Sequence, residues 1–189
     1  MLSVNVEMRQ KVKDFLTFIG EDPNREGLVE TPDRILKSWK EIYSGYNKNP
    51  ADLFKTFQAD GAKQMVILKN IELYSMCEHH AMPFFGKTHV AYIPDGLVLG
   101  VSKLARLVDL FARRMQIQER IGEQVTDSLM EFLKPKGAAC IIEAEHMCMR
   151  MRGCSKQSST MITSSLKGIF IDDSVFGASA RSELMSLVK

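Results

Sequence analysis

Long hydrophobic runs are missing from the sequence. No stretch of about 18 consecutive apolar residues occurs, so the sequence predicts no membrane-spanning helix. Residues 1–14 mix charged and apolar side chains and lack the apolar stretch of a secretory signal peptide. We therefore predict a cytoplasmic protein with no membrane partner.

Charge of one sign is also scarce. The 25 Lys and Arg residues nearly balance the 23 Asp and Glu residues, and the formal net charge is +2. A protein that binds nucleic acid non-specifically needs a strong basic excess, so we predict no nucleic-acid partner. A triphosphate needs only a few well-placed Lys and Arg side chains, and the charge balance does not exclude such a ligand.

Repeats, low-complexity segments and long linkers are absent as well. The chain has 189 residues, of which 45% are apolar and 25% charged, and this composition is typical of a soluble globular domain with its own core. We expect two regions in it: a helical region over residues 1–60 and one continuous unit over residues 61–189.

The spacing of apolar residues predicts the order of the elements. A period of about 3.6 predicts helices near residues 12–19, 31–43, 49–57, 102–111, 121–132 and 179–188, with Thr31 and Ser102 as caps. A period of two predicts strands near residues 65–68, 71–77, 88–93, 138–152 and 161–170. This order indicates an α+β fold with an antiparallel sheet, and the open edges of so small a sheet favour an oligomer.

Cysteine and histidine are few, yet they cluster. The chain has four of each, and cysteines of a cytoplasmic protein are thiols or metal ligands more often than disulfides. The segments 77–80 (Cys-Glu-His-His) and 146–148 (His-Met-Cys) hold three of the four histidines and two of the four cysteines. Each segment alone is more often a buried Cys beside a hydrogen-bonded His. Together they predict a metal site, and mixed sulfur and nitrogen ligands suit zinc.

The spacing leaves the ligand set open. Cys77 and His79 would share a face of a regular strand, whereas Cys77 and His80 would converge in a turn. Three ligands plus water would make a catalytic site, whereas a closed site with Cys154 as the fourth ligand would be structural.

The predicted strand 138–152 separates polar and apolar side chains. Period two places polar residues on one face and core methionines on the other: His146, Cys148, Arg150 and Arg152 against Met147, Met149 and Met151. Cys148 and Arg152 would lie roughly 13 Å apart. That distance fits a ligand with a reactive end at the metal and an anionic end beyond it. A solvated sheet face is the alternative for the two arginines.

Two further segments offer groups for an anionic purine ligand. Lys103 and Arg106 lie at the start of a predicted helix, where cations are unfavourable unless an anion binds, although a merely exposed pair fits equally well. The Glu119 carboxylate can accept two parallel hydrogen bonds, as from the N1–H and 2-amino groups of guanine. On its own, Glu119 fits a residue that stabilises a helix start.

Taken together, these segments resemble the GTP cyclohydrolase I family. The stretches that carry the resemblance are ETPDR (30–34), SMCEHHAMPFFGKTHVAYIP (75–94), LGVSKLARLVDLFARRMQIQERI (99–121) and EAEHMCMRMRGCSKQSSTMITSSLKGIF (143–170). The resemblance implies the tunnelling fold, with an antiparallel sheet and packed helices, and makes residues 61–189 the catalytic domain. It also implies a toroidal homodecamer with active sites at subunit interfaces.

The resemblance further implies an activity and roles for single residues. The activity is zinc-dependent hydrolysis of GTP to formate and 7,8-dihydroneopterin triphosphate, the first step of tetrahydrofolate and pterin biosynthesis. The implied zinc ligands are Cys77, His80 and Cys148, and the implied acid–base residues are His79 and His146. The implied substrate contacts are Glu119 and Gln118 at guanine, Ser102 at the ribose, and Lys103, Arg106, Arg152 and Arg34 at the triphosphate, with Arg34 coming from a neighbouring subunit.

Some positions depart from the family pattern or have no role in it. Cys154 stands where the family more often has an aliphatic residue, residues 172–178 align poorly, and His89 is expected to be an ordinary hydrogen-bonded histidine of the sheet. Two alternatives to the implied activity are a related tunnelling-fold enzyme of purines or pterins and a structural zinc protein that binds a nucleotide without turnover.

Overall fold

The computed structural model describes residues 6–189 and has an α+β architecture, as predicted. Its helices are α1 (Val6–Phe18), α2 (Thr31–Ile42), α3 (Val101–Ala112), α4 (Gln118–Ser128), α5 (Met147–Arg150) and α6 (Val175–Val188). Its strands are β1 (Thr56–Gln58), β2 (Val66–Cys77), β3 (Met82–Ile93), β4 (Leu97–Leu99), β5 (Met115–Gln116), β6 (Gly137–His146) and β7 (Met161–Gly168). Within residues 6–189, no helix combines the length and the apolar character that crossing a membrane requires.

The main sheet has five strands in the order β5-β2-β3-β6-β7. All neighbours are antiparallel except β5, which pairs with β2 in parallel through Met76↔Met115 and Cys77↔Gln116. This short parallel pairing places the end of β2 directly beside the start of α4. The predicted antiparallel sheet is therefore confirmed, with one parallel edge that the sequence pattern did not reveal.

The core lies between the sheet and two helices. Helix α3 packs on β2, and α4 packs on β6 and β7. Residues 71–75 alternate between buried and exposed, as expected of a strand with one face on the core. A smaller apolar cluster around Phe170 covers the other face of the sheet near α6. The sheet is thus covered by α3 and α4 on one face and by the cluster around Phe170 on part of the other.

Several predicted boundaries were wrong in detail. The predicted strands 65–68 and 71–77 form one strand, β2, with a register shift between Leu68 and Ile71. Helix α3 begins at Val101 after Gly100, so Ser102 is not its cap, and Thr31 is the first residue of α2 rather than its cap. The predicted helix near residues 49–57 is a 3₁₀ turn at Pro50–Leu53, and Phe57, whose apolar side chain helped to predict that helix, is 52% exposed.

The predicted long strand 138–152 was wrong from residue 147 onward. Strand β6 pairs with β3 as far as Phe84↔His146 and with β7 as far as Ala144↔Met161. Beyond His146 the pairing ends, and the chain turns into α5. The alternating polar face with its 13 Å separation therefore does not exist. Met151, predicted to pack in the core, is 63% exposed.

The predicted division at residue 60 falls in the connection between β1 and β2. Strand β1 pairs with β4, so residues 56–58 of the predicted helical region contact the predicted catalytic unit. The final helix begins at Val175, earlier than predicted, because the Ser174 side chain accepts a hydrogen bond from the Gly177 N–H and caps it. Residues 1–5 of the predicted helical region lie outside the described part of the chain.

Candidate active site

Three possible metal ligands meet where β2 ends and α5 begins. The Cys77 Sγ, a ring nitrogen of His80 and the Cys148 Sγ all lie within 4.8 Å of one another. A tight turn after Cys77 brings His80 back: the Ala81 N–H donates to the Cys77 carbonyl at 2.9 Å, and His80 Nδ1 lies 3.6 Å from Cys77 Sγ. Helix α5, which replaces the predicted strand, supplies the third donor.

This geometry selects among the ligand sets that the sequence left open. It brings His80, and not His79, together with Cys77 and Cys148. Cys154 lies outside the cluster, exposed, with its Sγ 3.7 Å from the Met149 carbonyl. Two sulfurs and one imidazole nitrogen, without a fourth protein donor in this cluster of described residues, match the donor set of an open zinc site.

The surroundings of Cys148 favour the protonated thiol in the absence of a cation. Burial and the neighbouring Cys77 sulfur raise the pKa of Cys148, and the charge of Arg152 opposes that shift. A bound divalent cation deprotonates coordinating thiols, so it would relieve the unfavourable proximity of the two sulfurs. Arg152 itself is exposed to solvent, four residues after Cys148.

His146 lies at the tip of β6, two residues before Cys148. Its ring stacks on Phe84 with a centroid distance of 4.5 Å and an interplanar angle of 6°. Burial lowers the pKa of His146, and the negative charge of Glu119 opposes this shift. The stacking fixes the plane of the imidazole, and the hydrogen bond to Gln118 fixes its rotation, because His146 Nε2 lies 2.9 Å from Gln118 Oε1.

The side-chain amide of Gln118 is hydrogen-bonded to other groups of the protein. Its side-chain nitrogen donates to the Ile142 and Met161 carbonyls at 3.0 and 3.1 Å and lies 3.0 Å from the Thr163 Oγ1. The residue is 1% exposed. These acceptors leave only its oxygen for His146, so Gln118 positions the imidazole from the protein interior. The neighbouring Glu119 is exposed at the first turn of α4.

Glu78 and Arg120 form a contact that sequence reasoning missed. The Arg120 guanidinium donates to both carboxylate oxygens of Glu78, at 2.5 and 3.0 Å. This hydrogen bonding holds the pKa of Glu78 below its usual range. His79 is exposed, with its Nε2 4.0 Å from Glu78. Both residues lie in stretches that carry the family resemblance, 75–94 and 99–121. They are 42 positions apart, however, and the spacing of residues within a segment cannot predict such a contact.

The cations predicted to bind phosphate are spread over the surface. Among the described residues, no hydrogen bond or ion pair joins Arg34, Lys103 or Arg106 to the metal cluster. Arg34 pairs with Glu30 of its own helix at 2.5 Å, and Arg106 lines a cavity of about 440 Å³ beside α3. Ser102 is exposed at the start of α3. Within one chain, therefore, none of these side chains contacts the metal cluster.

Comparisons with known proteins place the chain in one family. Residues 8–189 match the sequence profile of GTP cyclohydrolase I. The GTP cyclohydrolase 1 of Wolinella succinogenes is 52% identical over 185 residues, which cover 97% of each chain. The GTP cyclohydrolase 1 of Bacillus subtilis is 47% identical over 191 aligned positions, covering 100% of this chain and 98% of the relative.

A solved structure is similar over part of the chain. It is the apo form of the archaeosine synthase QueF-Like, with a TM-score of 0.45, 18% sequence identity, and coverage of 55% of this chain and 93% of that one. The family itself rests on the sequence matches, which span nearly every described residue and both segments of the metal cluster. The chain belongs to the GTP cyclohydrolase I family.

Proposed function

We propose that this chain is a zinc-dependent GTP cyclohydrolase. It hydrolyses the imidazole ring of the guanine base of GTP, releases formate and forms 7,8-dihydroneopterin triphosphate, the first step of tetrahydrofolate and pterin biosynthesis. The observation that carries the proposal is the meeting of Cys77, His80 and Cys148, with the half-buried His146 two residues before Cys148 in the sequence. The family membership supplies the substrate.

The donor set supports zinc as the metal. Cys77 and Cys148 would bind through sulfur and His80 through nitrogen, which are the ligand types that zinc prefers. When bound, zinc acts as a Lewis acid that lowers the pKa of water toward about 7 and so supplies a nucleophile at neutral pH.

His146 is the residue that we propose to donate a proton to N7 of guanine. Protonation at N7 makes C8 electrophilic enough for attack by water. Its stacking on Phe84 and its hydrogen bond to Gln118 hold the ring in one orientation, so the proton is delivered at a defined place. We assign Gln118 to this positioning role, in place of the direct guanine contact that the resemblance implies.

Glu119 is proposed to recognise the base, and several other residues the rest of the nucleotide. The exposed Glu119 carboxylate can accept hydrogen bonds from the guanine N1–H and 2-amino groups, which adenine lacks. His79 would protonate the ribose ring oxygen as the sugar opens, with Ser102 at the ribose. The residues proposed at the triphosphate are Lys103, Arg106, Arg152 and Arg34.

Assembly and location belong to the same proposal. Within one chain Arg34, Lys103 and Arg106 do not contact the metal cluster, so we propose that neighbouring subunits of a homodecamer complete the site and that Arg34 reaches the site of a neighbour. We also propose that residues 61–189 act as the catalytic unit, and we keep the predicted cytoplasmic location.

One assay tests the activity directly. Zinc-loaded protein is incubated with GTP while formate and pterin fluorescence are followed, with ATP and chelator-treated protein as controls. Formate and pterin are expected from GTP with zinc present, and from neither control. The variant His146→Ala is expected to release no formate because N7 stays unprotonated.

Two results would contradict the proposal. Absence of formate from the zinc-loaded wild-type protein would exclude the activity and favour a structural zinc protein that binds nucleotide. Formate release at the wild-type rate by His146→Ala would remove the proton-donor role while leaving the activity intact.

A further inference from the structure

The turn that follows Cys77 is fastened to both strand β5 and helix α4 through Glu78. The Glu78 N–H donates to the Gln116 carbonyl at 3.0 Å. The Glu78 carboxylate accepts both arms of the Arg120 guanidinium at 2.5 and 3.0 Å, and Arg120 also donates to the Gln116 Oε1 at 3.3 Å. Both the backbone and the side chain of Glu78 are thus held, by Gln116 and by Arg120.

The anchor point of these contacts is itself fixed. Gln116 is 1% exposed, and its side-chain nitrogen donates to the Phe111 carbonyl at 3.0 Å and to the Gln124 Oε1 at 2.7 Å. A bidentate guanidinium–carboxylate pair adds geometric specificity that a single hydrogen bond lacks. The turn therefore has a defined position relative to the start of α4.

The two residues adjoin the two halves of the proposed site. Glu78 lies between the metal-cluster residue Cys77 and the proposed acid–base residue His79, and Arg120 directly follows Glu119. Resting on the proposed function, we infer that Glu78 and Arg120 are positioning residues, which set the distance between the metal cluster and the carboxylate that recognises the base. A misplacement of about 1 Å can cost 100-fold in rate, so a rigid link between these segments has catalytic value.

Stabilising the fold is a second role that this pair can have. The Arg120 side chain is 40% exposed and the Glu78 side chain 31%, and a two-armed contact between such groups can also contribute to stability, so the thermal midpoint is measured beside kcat. Another role would be for Glu78 to orient His79, whose Nε2 lies 4.0 Å away. That role needs Glu78 but not Arg120, so variants of the two residues separate the alternatives.

The experiment compares Glu78→Gln, Arg120→Gln, Arg120→Lys and the double variant Glu78→Gln/Arg120→Gln with wild-type protein. We measure kcat and KM for formate release from GTP per bound zinc, the thermal midpoint, and the absorption spectrum of Co²⁺ bound in place of zinc. The matched controls are Glu21→Gln and Arg25→Gln, which break another exposed ion pair, in the connection between α1 and α2.

Each single variant is expected to lower kcat at least tenfold at unchanged metal stoichiometry and to shift the Co²⁺ bands. Arg120→Lys is expected to fail as a substitute because an ammonium cannot form the two-armed contact. The double variant is expected to be no slower than the slower single variant, because both lose the same contact. The controls are expected to keep wild-type kcat and spectra.

Wild-type kcat and Co²⁺ spectra in both Glu78→Gln and Arg120→Gln would overturn the inference. So would a loss confined to Glu78→Gln, which would assign Glu78 to His79 instead. If the wild-type protein itself releases no formate, the proposed function fails, and the Co²⁺ spectra still decide whether the pair shapes the metal cluster.

Discussion

Gln118 and His146 are joined by a hydrogen bond of 2.9 Å between the Gln118 Oε1 and the His146 Nε2. The orientation of the amide is unambiguous, because its nitrogen faces the carbonyls of Ile142 and Met161. The amide oxygen therefore accepts, and the proton of this bond resides on Nε2. His146 must exchange protons with a substrate through Nδ1, which has no hydrogen-bond partner among the described residues.

Replacing Gln118 by Met tests this arrangement, because Met fills a similar volume without an acceptor. We expect kcat for formate release to fall by about 10- to 100-fold, which is less than the roughly 100- to 10,000-fold that general acid–base catalysis contributes, because the imidazole stays and only its orientation is lost. The KM for GTP should change little, because the buried amide is already engaged inside the protein. Steady-state kinetics with zinc-loaded protein measures both constants.

Thr126→Val is the matched control for Gln118→Met. Thr126 is a fully buried polar residue of the same helix, but it bonds Ser165 instead of a histidine. The Thr126→Val substitution should lower the thermal midpoint of the protein, but it should not reduce kcat as much as Gln118→Met does. A rise in KM at unchanged kcat in Gln118→Met would instead identify Gln118 as a direct contact of the base.

The metal cluster shows how far sequence spacing reaches. The grouping of Cys, His and Cys in two segments predicted a metal site, but spacing could not choose between His79 and His80. The choice depends on the turn after Cys77, where Ala81 adopts a positive φ of 49° that a strand pattern does not anticipate. The spacing of Cys and His therefore predicted a metal site, whereas the choice of His80 as a ligand depends on the conformation of the turn.

The wrong end of the predicted strand 138–152 has a related cause. Alternation of polar residues with methionines continues through residue 152, so the sequence pattern alone favours a strand. Whether a strand continues depends on a neighbour to pair with, and pairing ends at His146. Contacts between distant segments, such as Glu78 with Arg120, were beyond prediction for the same reason: they exist only once the sheet has placed β2 beside α4.

The open metal site predicts different outcomes for two cysteines. Cys148→Ser should lower zinc affinity by at least about 100-fold, because loss of a direct ligand exceeds the 10- to 100-fold cost of losing outer contacts. Cys154→Ser should keep both zinc and activity, because its sulfur lies outside the cluster. Zinc content measured after dialysis against a competing chelator checks both. Loss of zinc from Cys154→Ser would indicate a closed four-ligand site and contradict the catalytic proposal.

Gly86 allows β3 and β6 to approach closely just before the tip that carries His146. A Cβ added there would lie 2.0 Å from the Glu143 carbonyl oxygen and 2.6 Å from the Ala144 Cα. Because both atoms belong to the backbone, Gly86→Ala should cost about 1–3 kcal/mol of stability, as overpacked cores do. Gly100→Ala is the control, since a Cβ added there would lie 3.8 Å from its nearest neighbour, the Lys103 Cγ, which is an ordinary van der Waals contact. Equal thermal midpoints of the two variants would contradict the close approach.

His89 predicts a pH dependence of stability that is separate from catalysis. It is 8% exposed, and its Nδ1 accepts a hydrogen bond from the Asn70 N–H at 3.4 Å. Burial lowers the pKa of His89, assisted by the charge of Lys69 and opposed by that of Glu143. The folded protein therefore holds fewer protons at this site than the unfolded chain does at pH values below the ordinary histidine pKa of about 6.5.

The sign follows from that difference in bound protons. The contribution of neutral His89 is intact above about pH 6.5 and is lost progressively as the pH falls through the lower pKa of the folded state. His89→Gln removes the titrating group and keeps an acceptor for Asn70, so its thermal midpoint should fall less steeply than that of wild-type protein between about pH 7 and 5. Both proteins are measured without metal, so that loss of zinc at low pH does not affect the comparison. His146 is present in both, so its own titration contributes equally to the two curves. Parallel curves would mean that His89 is protonated as readily in the folded protein as in the unfolded chain.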